Sequence, residues 1–335
     1  MYYVGMDVHL KTTSICILDE NGRPVKRKTI HGRWDKVLSY CQQIDEPFAV
    51  VYEASCGYGY LYDALSTMAS RVQVAHPGHL RLIFRSKRKN DRVDAEKLAK
   101  LLYLDEVPAV YVPSVDLRQW RALIEHRQSL IAKRVRCKNG IRALLRGQGI
   151  QPPKGLWSRL GRRWLEAVPL NGALLGIQRQ TLLAELSMLD EQIKQVTAAL
   201  DRLAASHPGV AVLRTIPGIG PRTAEAMVAY VGDPSRFTRA HQAGAYFGLV
   251  PCQDASAAAN RLGHITKDGP ATVRKLVVEA SWQVIRHCPA EKERFERIVQ
   301  GKKDRRKIAL VAVAHRLVRC MVAMLRTGEV WREAA

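Results

Sequence analysis

Four carboxylates in the first hundred residues are spaced to work together. Asp7 stands in the middle of YYVGMDVH, residues 2–9, a run rich in aromatic and β-branched residues that reads as a strand. Glu53 closes FAVVYE, residues 48–53, a continuous apolar run suited to a strand buried on both faces. Asp91 and Asp94 open the helical pattern DRVDAEKLAKLLY, residues 91–103, three positions apart and so on one helical face. Four acids brought to one place repel unless a cation joins them. Hard divalent cations such as Mg²⁺ prefer oxygen ligands and are held near phosphates by a few carboxylates. Two such ions can clamp the attacking and leaving oxygens of a phosphodiester. Taken singly, Asp94 is also explained by the helix dipole and Glu53 by an exposed strand end.

Two further segments carry chemistry. In RTIPGIGPRTA, residues 214–224, Gly218 and Gly220 precede a helix start, with Arg222 in its first turn. Such a turn lets backbone N–H groups approach a phosphate in front of a helix N-terminus, or simply joins two packed helices. The segment LVPCQDASAAANRLGHITKDG, residues 249–269, reads as a loop of small residues around Ser256, with Arg261 and Lys267 as expected nucleic-acid contacts. No neighbouring His–Asp pair accompanies Ser256, so by residue type alone it is a solvated serine.

These residues need elements to position them. Strands are predicted at 2–9, 13–19 and 25–30, with Asn21-Gly22 as a hairpin turn. A helix at 34–43, the strand 48–53, a helix at 60–69, a strand at 72–76 and the helix 91–103 follow, the last with Val93, Leu98, Leu101 and Leu102 on its apolar side. The order β-β-β-α-β-α-β-α is that of ribonuclease H-like folds. There the first strand, the fourth strand and the last helix meet at one edge, which would gather the four acids. A long basic helix runs from 115 to about 149 and ends before Pro152-Pro153. A second, 172–205, carries the stripe Leu182, Leu186, Leu189, Ile193, Val196, Leu200 and Leu203, which suits either an intramolecular helix pair or a dimerisation arm. After Pro208-Gly209 a compact, mostly helical region follows. Three regions are expected: 1–110, 111–208 and 209–335.

With 53 Lys and Arg against 31 Asp and Glu, the net charge of the 335 residues is +22. An excess that large points to a polyanionic partner. It concentrates at 118–163, where thirteen basic residues face a single acid, Glu125. Arg127, Lys133, Arg134, Arg136, Lys138, Arg142 and Arg146 are the expected backbone-phosphate contacts, and Trp120, Trp157 and Trp164 either stack on bases or anchor the helix pair. The seven cysteines show no CxxC spacing, which argues against a zinc site and suits reduced thiols in the cytoplasm. No signal peptide is expected. The apolar stretch Ile308–Ala314, interrupted by His315 and Arg316, falls short of a bilayer span, so no membrane partner is expected.

Asp7, Glu53, Asp91 and Asp94 together resemble the DEDD set of a RuvC-like domain. The segments IPGIGPRTA, FTRAHQAGAYFGLVP, RLGHITKDG and KIALVAVAHRLVRCMVAMLRTGEVW resemble the C-terminal domain of the insertion-sequence 110 family of bacterial transposases, the DEDD or bridge-RNA-guided recombinases. The resemblance runs from Gly5 to Trp331. It implies a RuvC-like domain, a coiled-coil linker and a mostly helical transposase domain with a helix-hairpin-helix-like turn. It also implies a nucleophilic serine between the GLVP and RLG segments, where Ser256 alone matches. Such a protein would cut and rejoin DNA through a covalent phosphoserine with Mg²⁺ assistance, in a site composite between domains. Its partners would be double-stranded DNA, a structured noncoding guide RNA and further copies of itself, from dimer to tetramer, at the nucleoid of a bacterial cytoplasm. The sequence departs from the family pattern at Ala257-Ala258-Ala259, where glycine usually follows the serine, and at Pro270, where many relatives carry Asn. The alternatives are a RuvC-like, Mg²⁺-dependent junction endonuclease acting by hydrolysis and a non-catalytic nucleic-acid-binding protein.

Overall fold

The computed structural model describes residues 1–55, 57–83, 91–256 and 259–332, with the side chains of residues 82, 83, 254–256, 259 and 260 outside that description. Two compact units result, Met1–Val115 and Asp116–Ala335.

The first unit is built on a five-stranded sheet: β1 (Tyr2–Val8), β2 (Thr12–Leu18), β3 (Pro24–His31), β4 (Phe48–Glu53) and β5 (Arg71–Ala75) in the order β3-β2-β1-β4-β5. The first three strands are antiparallel, while β4 and β5 run parallel to β1 and to each other. The expected hairpin turn forms: Asp19 Oδ1 accepts from the N–H groups of Asn21 and Arg23 at 2.9 and 2.8 Å, and Gly22 takes a φ of 73°. Alternation along β1 divides the sheet. Val4, Met6 and Val8 pack with Val37 and Tyr40 of α1 (Trp34–Cys41) and Leu61 and Leu65 of α2 (Tyr58–Leu65). The opposite face receives α4 (Asp91–Tyr103), which follows the short α3 (Pro77–Ile83).

The seating of α4 depends on Gly5. A Cβ there would stand 2.9 Å from Ala99 Cβ and would overlap the Ala95 carbonyl oxygen and the Ala99 nitrogen. Ala95 and Ala99 therefore sit directly on the sheet with Cys16 and Leu18. Leu98, Leu101 and Leu102 fill the space against Ala49, Val51 and Ala75. Val93, expected on the apolar side, is 44% exposed instead. The small Ala95–Ala99 stripe, not the largest side chains, sets the rotation of the helix.

In the second unit, α5 (Val115–Gly147) and α7 (Ala173–Ala205) pack as an intramolecular pair. Leu130, Cys137, Ile141 and Leu145 of α5 meet Leu186, Leu189 and Ile193 of α7. Much of the α7 stripe is thus consumed within the chain, although Leu203 remains 46% exposed. The shorter α6 (Arg159–Ala167), absent from the sequence expectation, starts where Ser158 accepts the Gly161 N–H, a serine N-cap. Then follow α8 (Pro208–Leu213), α9 (Pro221–Val231), α10 (Ala240–Tyr246), α11 (Ala271–His287), α12 (Pro289–Val299) and α13 (Arg306–Thr327). Their core takes in Trp120 and Ile124 of α5 and Leu200 and Ala204 of α7.

Two expectations are corrected. Residues 249–269 hold an antiparallel hairpin, β6 (Pro251–Ser256) and β7 (Ala259–Ile265), where a loop was expected. Ladder pairing between the strands replaces the missing β-propensity of the alanines. The segment Lys303–Thr327 is also long and apolar enough, by length and composition, to cross a membrane, despite His315 and Arg316; half of its apolar window is buried inside the unit, as in a core helix.

Candidate functional site

The four predicted acids divide among three elements of the first unit. Met6 pairs with Tyr52 across the parallel β1–β4 ladder, which places Asp7 and Glu53 side by side at the same end of adjacent strands. The Gly5 notch brings the first turn of α4 to that end, and with it Asp91 and Asp94. Asp7 is half-buried. Burial pushes its carboxyl above the ordinary range; His9 opposes this, while Asp91, Asp94 and Glu53 reinforce it. Three carboxylates therefore act on that of Asp7, a charge surplus that a cation would relieve.

His9 is the residue the sequence did not flag. Its Nε2 lies 3.4 Å from Asp7 Oδ2 and 3.8 Å from Asp91 Oδ2. Ligand atoms of Asp7, His9 and Asp91 all fall within 4.8 Å of one another, close enough to share a metal ion. The available signal was the i, i+2 spacing of Asp7 and His9 at the end of a strand, which returns both to one face. Asp94 is held by Lys97 at 3.2 Å, so its charge is partly matched within the helix. Behind the cluster, Trp34 Nε1 donates to the His9 carbonyl at 3.2 Å. A Cβ at Gly57, whose φ is 75°, would overlap the Trp34 indole. The mixed oxygen and imidazole set fits a divalent cation.

In the second unit, Ser256 closes β6, and its side chain lies outside the description, as do Ala257 and Ala258 altogether. Arg261 on β7 is exposed. Lys267 is exposed too and adopts a φ of 60° in a turn where the Thr266 and Lys267 N–H groups donate to Val250 and Gly248 carbonyls. Pro270 immediately precedes α11, a position that needs no donor.

The Gly-rich turn separates its glycines by role. Gly218, at φ 90°, lies against α11: a Cβ would come within 2.7 Å of the Gln283 carbonyl carbon. Gly220 faces open space at the N-cap of α9. Arg222 is committed internally, to Asp201 and, at 3.2 Å, to the buried Glu225. Burial is the first cause of a Glu225 carboxyl raised to about 7, against the opposing charges of Arg222 and Arg127.

The α5 cations divide likewise. Lys133, Arg136, Arg142 and Arg146 are exposed. Arg127 donates to Thr197 Oγ1 at 2.8 Å, and Arg134 joins Arg162 on Asp190 of α7. Lys138 and Arg142 lie 4.8 and 5.4 Å over the Trp157 ring. Trp120 is buried in the core and Trp164 packs against the α5–α7 core. These indoles serve packing and cation–π contact.

Comparison with known proteins connects both units to one group. Residues 4–149 match a transposase profile of the DEDD, IS110 type, and residues 210–296 match that of the transposase IS116/IS110/IS902 family. The transposase for insertion sequence element IS1111A of Coxiella burnetii is 28% identical over 98% of this chain and 91% of its own length. The transposase for insertion sequence element IS1328 of Yersinia enterocolitica is 26% identical over 98% of each chain. A probable family 20 transposase of Pseudomonas aeruginosa is 25% identical over the same shares.

Proposed function

Because the chain belongs to the IS116/IS110/IS902 family of transposases, enzymes that cut and rejoin DNA, we propose that it moves a bacterial insertion sequence through a covalent phosphoserine link. The observation that carries the reading is the convergence of Asp7, Glu53, Asp91 and Asp94, from three separate segments, at the end of β1. We read the first unit as ribonuclease H-like, with these four carboxylates as ligands of Mg²⁺ and His9 beside them. Bound there, the ion would supply Lewis-acid stabilisation of a phosphodiester's developing charge. Ser256, on the hairpin of the second unit, is the proposed nucleophile. Its Oγ forms a bond to phosphorus while one sugar–oxygen bond to that phosphorus breaks; the serine proton is lost and the leaving sugar oxygen gains one. The reverse step rejoins the strand without an external energy source, since the phosphodiester bond energy is kept in the link.

The exposed cations Lys133, Arg136, Arg142 and Arg146 support backbone binding without sequence readout, which fits delegation of target choice to a structured noncoding RNA. Strand exchange between two duplexes needs several serines, hence a homo-oligomer up to a tetramer, acting at the nucleoid.

The test compares Ser256→Ala and Asp7→Asn in a recombination assay on the element's own ends, with covalent protein–DNA adducts read on denaturing gels. Ser256→Ala is expected to abolish adducts while RNA binding persists, and Asp7→Asn to abolish recombination. Metal-dependent cleavage by Ser256→Ala, leaving free hydrolysed ends, would overturn the serine assignment in favour of a junction-type endonuclease. RNA recovered with the purified protein and sequenced tests the guide: one enriched structured species supports it, and a random population refutes it.

A further inference from the structure

We propose that a cavity of about 470 Å³ among α10, α12 and α13 is a second nucleic-acid site that seats a backbone phosphodiester. The inference rests on the reading of the chain as an enzyme that handles nucleic acid, and it concerns residues outside the carboxylate cluster, the Gly-rich turn and the α5 cations.

Four arginines line the cavity: Arg294 and Arg297 from α12, Arg316 and Arg319 from α13. Each pair is three residues apart, so each helix turns two guanidinium groups into the same space. The carboxylates that meet them are fewer. Glu291, almost fully buried, accepts from Arg316 Nε at 2.6 Å and lies 3.5 Å from Arg294 Nε. Glu293 approaches Arg297 only at 3.8 Å, with both side chains largely exposed. Arg319 has no ion-pair partner among the described residues, and the buried Arg294 Nε has no hydrogen-bond partner. Two acids against four arginines leave a local surplus of positive charge.

The site is also built. Glu291 fixes Arg316 from behind, so one fork is oriented before any ligand arrives. The His315 imidazole reaches α10 only because Gly244 lacks a Cβ, which would overlap it. Ala240, Ala312 and Ala323 keep the walls low. Burial pushes the Cys320 thiol above its ordinary pKa, against the neighbouring arginines, which disfavours a thiolate in the cavity. Planar guanidinium forks match the oxygens of a phosphodiester in paired hydrogen bonds.

The test uses the full chain carrying Arg297→Gln with Arg319→Gln. Both side chains are exposed, and the Arg294–Glu291–Arg316 group is left whole. Binding to a short duplex DNA of arbitrary sequence, and to a single-stranded RNA of the same sequence, is followed by fluorescence anisotropy across a salt series. The expected result is binding about tenfold weaker at low salt. The log–log salt slope should be shallower by about 0.9 per lost duplex contact, or about 0.7 per single-strand contact. Loss on one probe only supports the proposal and names the nucleic acid. Unchanged affinity and slope on both probes overturns it, while the wild-type binding leaves the transposase reading standing. Wild type that binds neither probe overturns both. Arg23→Gln in the turn before β3, with Lys26→Gln on β3, removes equal charge elsewhere; if it produces the same change, the effect is one of net charge and the site is refuted.

Discussion

Gly5→Ala tests the geometry of the carboxylate cluster without touching a ligand. The new methyl group would stand 2.9 Å from Ala99 Cβ and closer still to the Ala95 carbonyl oxygen and the Ala99 nitrogen, where ordinary contact begins at 3.4 Å. Two of the three obstacles are backbone, so no rotamer change relieves them. The helix must retreat by roughly 1 Å to recover normal contact. Overpacking of this kind costs about 1–3 kcal/mol, which for a unit of this size lowers the melting temperature by roughly 4 °C per kcal/mol. The chemical consequence is larger. Asp91 and Asp94 ride on the first turn of α4, so a retreat of about 1 Å carries them from Asp7 and should reduce catalysis on the order of 100-fold. Calorimetric titration with Mn²⁺ and a recombination assay measure the two effects, with melting as the control. Adding Ala99→Gly removes only the side-chain obstacle and should rescue little. Full metal affinity and activity in Gly5→Ala, with an unchanged melting temperature, would refute the argument that this close approach positions the acids.

Other expectations follow from the second unit. Glu225 holds its proton to about pH 7 in the folded chain but to about 4.5 when unfolded, so the folded state binds more protons between those values and stability falls as pH rises through them. Glu225→Gln should flatten that part of a melting-temperature profile, and an unaltered profile would discount the buried carboxyl. Gly218→Ala, at φ 90° against the α11 backbone, should destabilise by roughly 1–3 kcal/mol in denaturant melts. Gly220→Ala, facing open space at φ −84°, should stay within about 1 kcal/mol of wild type, and equal losses at the two positions would contradict the assignment. Neutralising Lys133, Arg136, Arg142 and Arg146 together should weaken nucleic-acid binding and flatten its salt dependence, whereas an intact slope would remove α5 from the interface.

The first unit was the more legible in sequence. Its strands announce themselves by β-branched runs and a hairpin turn, and α4 begins where its acids complement the helix dipole, at Asp91. Less visible was the rotation of α4. Apolar periodicity favoured Val93, but a glycine on a neighbouring strand selected the alanine face, a long-range contact that no local pattern encodes. His9 escaped notice for a related reason, since a histidine just past a strand end acquires meaning only when another segment brings Asp91 to it. The β6–β7 hairpin is held by ladder bonds between segments whose alanines have little strand preference, so composition pointed to a loop. The charge run of α5 located a basic helix correctly but could not divide its residues. Whether Arg134 faces solvent or Asp190 depends on how α7 lies beside it.

Trp34 gives the first unit an optical handle. The other five tryptophans, at 120, 157, 164, 282 and 331, belong to the second unit, so indole emission from residues 1–115 comes from one ring. That ring rests in the space over Gly57 and is tied through its N–H to the carbonyl of His9. Any rearrangement of the strand end that carries His9 alters the polarity around this single fluorophore. In a chain whose remaining tryptophans are replaced by phenylalanine, cation titrations could be read from Trp34 emission without a label, a DNA substrate or turnover.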